Sequence, residues 1–348
     1  MIELSLVALY ILIIAMLFLL TSLFLYLIIK KYVNNQSRRK INLLKEEFRL
    51  KMFHYLQTGE QSHIESNLGQ EKVIALLELL KEYSNVLDSP DVNERISAFA
   101  NKNFTKFIKK ELRQRRWSLR MNALYLIEDF YMYHLIENLH SLYDKRRTTV
   151  AEKEQILKLL AKSNDEKIVE YIKNGTANIS DFSLLTILMN LNDEKLDELI
   201  ADFNFLPARI QYMVVETIGK KQLLRHHTLL KNLIHQDDPE LVIRSLKAYA
   251  TTGVPVDIHS IVAFFESESW QLRLMAAKVA GVQRMEELKE KLIELLSDSE
   301  YIVRVEAAKA ILRFKDGVRI LNKIKEESND LFAQDMAIEW LEKERSSY

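Results

Sequence analysis

Eight histidines, 49 acidic residues and no cysteine set the chemistry open to this 348-residue chain. The missing cysteine removes disulfides, thiolate metal sites, iron–sulfur clusters and a thiol nucleophile together. His54, His63, His134, His140, His226, His227, His235 and His259 include no H-E-x-x-H pair, the spacing that sets two imidazoles on one helical face beside a general base. Only His226, His227 and His235 approach one another in sequence, across a helix-turn region, and a chance surface group outweighs a metal site there. No two of the seven glycines lie closer than Gly59 and Gly69, which excludes G-x-G-x-x-G, a Walker A loop and a G-x-S-x-G elbow. Acidic residues alternate with lysines, as in EELKEKLIELLSDSE at 286–300, a pattern of solvated faces. No catalytic residue, metal or cofactor is expected.

Charge distribution is more informative than charge total. Residues 101–120 carry Lys102, Lys106, Lys109, Lys110, Arg113, Arg115, Arg116 and Arg120 against Glu111, with Trp117 among them, and Lys145, Arg146 and Arg147 follow. Residues 326–344 carry Glu326, Glu327, Asp330, Asp335, Glu339, Glu342 and Glu344 against Lys343. A solvated face, anionic lipid headgroups and an acidic protein partner all suit the basic stretch. Nucleic acid is disfavoured because the net charge is zero, whereas such binders carry a basic excess that displaces counterions. The candidates for contact with a partner or headgroups are Lys109, Lys110, Arg113, Arg115, Arg116, Trp117, Lys145, Arg146 and Arg147. Trp117 and Trp270 are more often core residues than interface anchors, although an exposed Trp is a strong anchor.

The elements that position these residues must be helices. Seven glycines and four prolines in 348 residues are roughly a quarter of the usual share of about 12%, too few chain-turning residues for a barrel, a sandwich or a doubly wound sheet. The chain reads as all-α. Residues 4–29, after a stub at 1–3, contain no charge, Gly or Pro; at 1.5 Å per residue they reach about 39 Å and cross a bilayer of roughly 30 Å with tilt. The front end carries Glu3 rather than a basic cluster, so the span is expected to be an uncleaved anchor. Lys30, Lys31, Arg38, Arg39 and Lys40 follow it, which predicts the N-terminus outside and the remainder in the cytoplasm, at the cell membrane.

Residues 30–57 read as a basic amphipathic juxtamembrane helix. Ile41, Leu44, Phe48, Met52 and Tyr55 form one stripe, suited to packing on the following helices, to a self-associating stalk or to a headgroup-lying helix. A polar linker is expected at 58–69. From residue 70 onward a repeat emerges: HQDDPELVIRSLKAYA (235–250), ESESWQLRLMAAKVAG (266–281) and SDSEYIVRVEAAKAIL (297–312) each place an acidic turn before Arg, with Ala four residues later. The register Arg120, Lys153, Asp181, Arg209, Arg244, Arg273, Arg304, Ala333 has spacings between 28 and 35 residues, the length of a helix pair. Ala248, Ala277 and Ala308 let second helices approach closely. Asp238 and Asp298 are expected to cap them and to accept from an Arg of the same or a neighbouring repeat. Ser297 with Glu300 fits a capping box, and Pro239 fits a first helical turn.

These units resemble HEAT repeats, most closely from 235 to 314. In that family an Asp in the turn precedes the Arg by six residues, as in Asp238/Arg244 and Asp298/Arg304; Arg273 has Ser267 at that offset, flanked by Glu266 and Glu268, and Arg209 has Phe203. The resemblance implies a right-handed armadillo-type α-solenoid of about eight or nine HEAT-like helix pairs over 70–348. In it Arg209, Asp238, Arg244, Arg273, Asp298 and Arg304 form a structural ladder. The whole is similar to bacterial membrane-anchored HEAT-repeat proteins, some associated with membrane glycosyltransferase or exopolysaccharide machinery, and that partner class comes from the resemblance alone. The function expected is a non-enzymatic scaffold or accessory subunit that binds a protein partner. A groove enzyme or ligand-binding protein competes with it, since HEAT-like enzymes include alkylpurine DNA glycosylases and phycobilin lyases; the anchor and the neutral charge speak against the first.

Overall fold

The computed structural model describes residues 6–60 and 69–346. Among those residues there are nineteen α-helices, short 3-10 turns and no strand. The expected stub at 1–3 and the centre of the expected linker lie outside the described residues. The chain divides into two compact units, 1–159 and 160–348, with the boundary inside one helix.

The first unit contains α1 (Leu6–Thr58), α2 (Gln70–Ser84), α3 (Pro90–Asn103), α4 (Thr105–Glu111), α5 (Trp117–Asp129), α6 (Ile136–Tyr143) and most of α7 (Val150–Lys162). The expected span and juxtamembrane helix are one unbroken helix of 53 residues, because neither Gly nor Pro interrupts the sequence between them. Its first half is apolar and covered by nothing in the structure, long enough and apolar enough to cross a membrane. Its second half packs on α2 and α3. Ile41, Phe48, Met52 and Leu56 are buried, each contributing on the order of 1.5–3 kcal/mol, and a chain of rings from Tyr55 through Phe99 and Phe104 to Phe130 continues the core inward. Gly59, at φ +77°, takes the left-handed position that ends α1, and Arg95 donates to the carbonyls of Leu56 and Gln57 at 2.8 and 2.7 Å, satisfying two groups that a helix terminus leaves open.

The second unit holds α8 (Ile168–Gly175), α9 (Asp181–Asn190), α10 (Asp193–Ala201), α11 (Ala208–Lys220), α12 (His227–Leu233), α13 (Pro239–Thr252), α14 (Ile258–Ile261), α15 (Trp270–Gln283), α16 (Lys289–Glu294), α17 (Tyr301–Leu312), α18 (Gly317–Glu327) and α19 (Leu331–Ser346). The odd-numbered helices contact one another in sequence from α9 to α19. Small residues permit this: a Cβ on Gly219 would lie 3.2 Å from that of Ala248, and one on Gly281 only 2.5 Å from that of Ala310. Ala248, Ala277 and Ala308 are all buried.

The turn chemistry is more varied than the sequence suggests. Asp238 caps α13 by accepting from the amides of Glu240 and Leu241, with Pro239 in the first turn. Arg244 leaves that carboxylate to the backbone and to the hydroxyl of Tyr212, and pairs instead with Glu240 and Glu216, both at 2.6 Å. Arg273 reaches Asp298 of the next helix pair, at 2.5 and 2.9 Å. Arg304 donates to the carbonyls of Asp298 and Ser299, not to the Asp298 carboxylate. Arg209 takes Asp181 at 2.6 Å and the carbonyls of Thr176 and Ile179. The Ser297–Glu300 capping box does not form, because Ser297 is the last residue of a 3-10 turn, and Asp298 accepts from the Glu300 amide in its place. A shared device replaces a simple Asp–Arg ladder: Arg120, Arg273 and Arg304 each donate to the carbonyls five and six residues before them, and Gln334 repeats the six-residue reach. A long donor thus closes each turn over carbonyls that would otherwise lack partners.

Candidate interaction surface

The basic residues collect on two turns of the first unit, one helix pair apart. The segment 112–116 joins α4 to α5, and 144–149 joins α6 to α7. Buried Leu112 pins the first turn and buried Thr148, donating to the Leu142 carbonyl, pins the second. With these anchors pointing inward, Arg113, Arg115, Arg116, Lys145, Arg146 and Arg147 are exposed.

A buried network holds the turns together. Thr149 and Glu152 form a capping box at the start of α7: the Glu152 carboxylate accepts from the Thr149 amide and hydroxyl, both at 2.9 Å, and the Glu152 amide donates back to the hydroxyl. Arg120 grips the same carboxylate through two nitrogens, at 2.6 and 3.0 Å, while donating to the carbonyls of Gln114 and Arg115. Both partners are buried. Burial pushes the Glu152 carboxyl up; hydrogen bonds from Arg120 and Thr149, with the guanidinium charge, outweigh it and hold the group below the ordinary carboxylate range. Trp117 donates from its indole nitrogen to the Thr149 hydroxyl at 3.1 Å, and Arg147 donates to the Arg113 carbonyl at 3.2 Å.

The other basic side chains here have no such duty. Among the described residues, Lys109, Lys110, Arg113, Arg115, Arg116, Lys145 and Arg146 make no side-chain hydrogen bond or ion pair. Lys109 acts on a neighbour through space: burial, then its positive charge, holds His134 below the ordinary histidine range. Trp117 is 49% exposed, a surface position rather than a core one. Lys30 lies over the Tyr26 ring, and Lys31 and Arg39 are exposed. Arg38 and Lys40, by contrast, are tied to Glu78 and Glu71 of α2.

The acidic turns of the second unit differ in kind. Asp238, Asp298 and Asp330 accept from backbone amides of the helices they precede, Glu266 pairs with Lys291, and Glu339 with Lys343. Their charges are engaged in holding the fold, so the negative end of the sequence offers fewer free groups than its composition implies.

Other candidate chemistry is sparse. His226 meets Asp197 at 2.8 Å in a cluster with Arg225, whereas His227 lies beside Thr228 and the ring of His235 is in neither group. Among the described residues no three potential ligands gather to hold a metal ion. A cavity of about 830 Å³ opens between α16 and α18 over Ile293, Ile320 and Ile324; at its rim Lys289 holds the Asp316 carboxyl below its ordinary range. One of about 330 Å³ lies in the first unit over Ile74, Leu77 and Phe107, where Arg38 and Lys45 offset the burial of Glu78 and keep it low. A carboxylate so held is the reverse of a general acid, which needs a raised pKa.

The residues that sequence reasoning missed are Thr149 and Glu152, although the spacing T-x-x-E before a helix signals them. Arg120 stands in the sequence both in the basic run and at the head of the repeat register, but its pairing with Glu152 is not signalled there.

No family model and no curated protein matches the chain. Among solved structures, the crystal structure of an engineered protein is similar at 16% identity over 86% of this chain and 97% of that one, with a TM-score of 0.16.

Proposed function

We propose that this chain is a single-pass membrane protein that binds a protein partner through its helical surface, as a scaffold or accessory subunit without catalysis of its own. The single observation that carries the reading is the contrast between turns: Asp238 and Asp298 are engaged in caps, hydrogen bonds and an ion pair, while among the described residues the side chains of Arg113, Arg115, Arg116, Lys145 and Arg146 have no hydrogen-bond or ion-pair partner and stand around a half-exposed Trp117. The helix pairs are read as a right-handed HEAT-like solenoid, on the strength of the residue-70-onward repeat, the row of contacting helices in the second unit and the Arg-to-carbonyl closures. The span is read as the apolar first half of α1, and the basic residues after it favour an N-terminus outside and helix pairs in the cytoplasm. The resemblance to membrane-anchored HEAT-repeat proteins makes membrane glycosyltransferase or exopolysaccharide machinery the first partner class to test.

Crosslinking of the full-length protein in native membranes, followed by purification in mild detergent and mass spectrometry, tests the reading. A stoichiometric chain crosslinked to the first unit is the expected result. A protein that purifies alone, with and without crosslinker, overturns it.

A further inference from the structure

We infer that the turns 112–116 and 144–149 form one receptor for an acidic segment of the protein partner, read across two helix pairs at once. The inference rests on the partner-binding reading above and supplies the partner's chemistry. Three observations converge on it.

The two turns are one object. Trp117 to Thr149, Arg147 to the Arg113 carbonyl, and Arg120 to both Glu152 and the 114–115 carbonyls fix them against each other. Neighbouring helices pack about 8–10 Å apart, the distance covered by about three residues of extended chain. A segment lying across both turns therefore presents acidic groups about three residues apart, and finds the two turns already fixed against each other.

The free cations are mostly arginines. Arg113, Arg115, Arg116 and Arg146 carry planar forks suited to two-point contact with carboxylates, and Lys145 adds a point charge. Asp144 is the one acidic residue within the two turns. Trp117 has its indole nitrogen satisfied and half its surface open, so its ring can take an apolar side chain of the same segment.

The tether favours a protein over a lipid surface. From Ile29 to Ile41, the first buried residue of α1, the helix runs unbroken, about 18 Å along its axis at 1.5 Å per residue. The headgroup field decays over a Debye length of about 8 Å. Along the helix axis the packed body thus begins about two Debye lengths past the apolar stretch, where attraction to anionic lipid is already much weakened.

The test uses the full chain in nanodiscs of zwitterionic lipid and fluorescence anisotropy of three labelled peptides. One has two Glu-Glu pairs separated by three neutral residues including Leu, one has the same four Glu contiguous, and one has Gln for every Glu. The spaced peptide should bind more tightly than the contiguous one, and the Gln peptide should not bind. Arg113→Glu/Arg115→Glu/Arg116→Glu and Lys145→Glu/Arg146→Glu should each weaken the spaced peptide at least tenfold, while Arg319→Glu/Lys325→Glu in the second unit changes it less than twofold. Because none of the five substituted side chains in the turns makes a hydrogen bond or ion pair, unchanged helical content and melting should accompany the loss. Equal affinity for spaced and contiguous peptides, or either turn variant within twofold of the parent, overturns the inference. So does displacement of the peptide by nanodiscs containing phosphatidylglycerol, which would assign the turns to lipid. The two readings part in native membranes: a partner that still crosslinks to both turn variants leaves the scaffold reading standing without this surface, whereas a parent protein that crosslinks to nothing removes both.

Discussion

At the scale of single residues, the pair that matters most is Arg120 and Glu152. Removing one member of a buried ion pair strands the other charge and costs about 3–5 kcal/mol. Glu152→Ala should therefore weaken hydrogen-exchange protection across α5 and α7 by a corresponding amount, with the second unit unaffected. Glu152 also gives the first unit a pH dependence of definite sign. Its folded pKa lies below the ordinary carboxylate value, so its contribution is fully present above that value and is lost as pH falls through the folded pKa. Protection of α5 and α7 should decline on acidification below about pH 4 in the parent protein, and Glu152→Gln should lower it at pH 7 and flatten the acid dependence. The sequence showed the guanidinium but not its burial: within a run of eight basic residues, type alone cannot tell which one turns inward. The repeat register, which aligns Arg120 with Arg273 and Arg304, is the signal that singles it out.

Between elements, close approach of helices depends on what fills the contact. Gly281 in α15 meets Ala310 in α17 so closely that an added methyl has nowhere to go; Gly281→Ala should lower stability by about 1–3 kcal/mol, the usual cost of overpacking. Gly219 against Ala248 has contacts of 3.1–3.2 Å, tight but not impossible. There the strain is offset by up to about 1 kcal/mol of helix propensity gained on replacing Gly, so Gly219→Ala should sit near neutral in a denaturant titration in which Gly281→Ala shows its loss. Helical composition, the near-30-residue period, the buried Ala positions, the Asp238 cap and Pro239 were all legible in the sequence, because each rests on local spacing. Partner choice among the charged ladder residues was not. The six-residue offset offered Asp238 to Arg244, but packing gave it Glu240 and Glu216. The same limit hid the continuity of α1: its change from apolar to basic reads as a boundary, yet composition can change along a helix without breaking it. For the interaction surface, the basic turn residues and Trp117 were visible in advance, and the network that locks the two turns together was not.

Over the whole molecule, the arrangement of charge around α1 leads to a topology that can be measured directly. No Lys or Arg precedes the apolar stretch, and five follow it within eleven residues. Arg38 and Lys40 are held to α2, but they keep their charge, and the bias that retains positive segments on the cytoplasmic side acts on charge during insertion, before any such pairing forms. The absence of native cysteine makes the measurement clean, since a single introduced thiol is the only one that can react. Ser141→Cys, on exposed surface of the first unit, and Lys325→Cys, on exposed surface of the second, should both resist a membrane-impermeant maleimide in intact cells and label fully once the membrane is permeabilised. Labelling of both in intact cells would invert the topology and, with it, the compartment in which a partner must be sought. A single span carries everything after it to one side, so one protected and one labelled position would require a second crossing. Among the described residues, the helices after α1 have no apolar stretch long enough to make one.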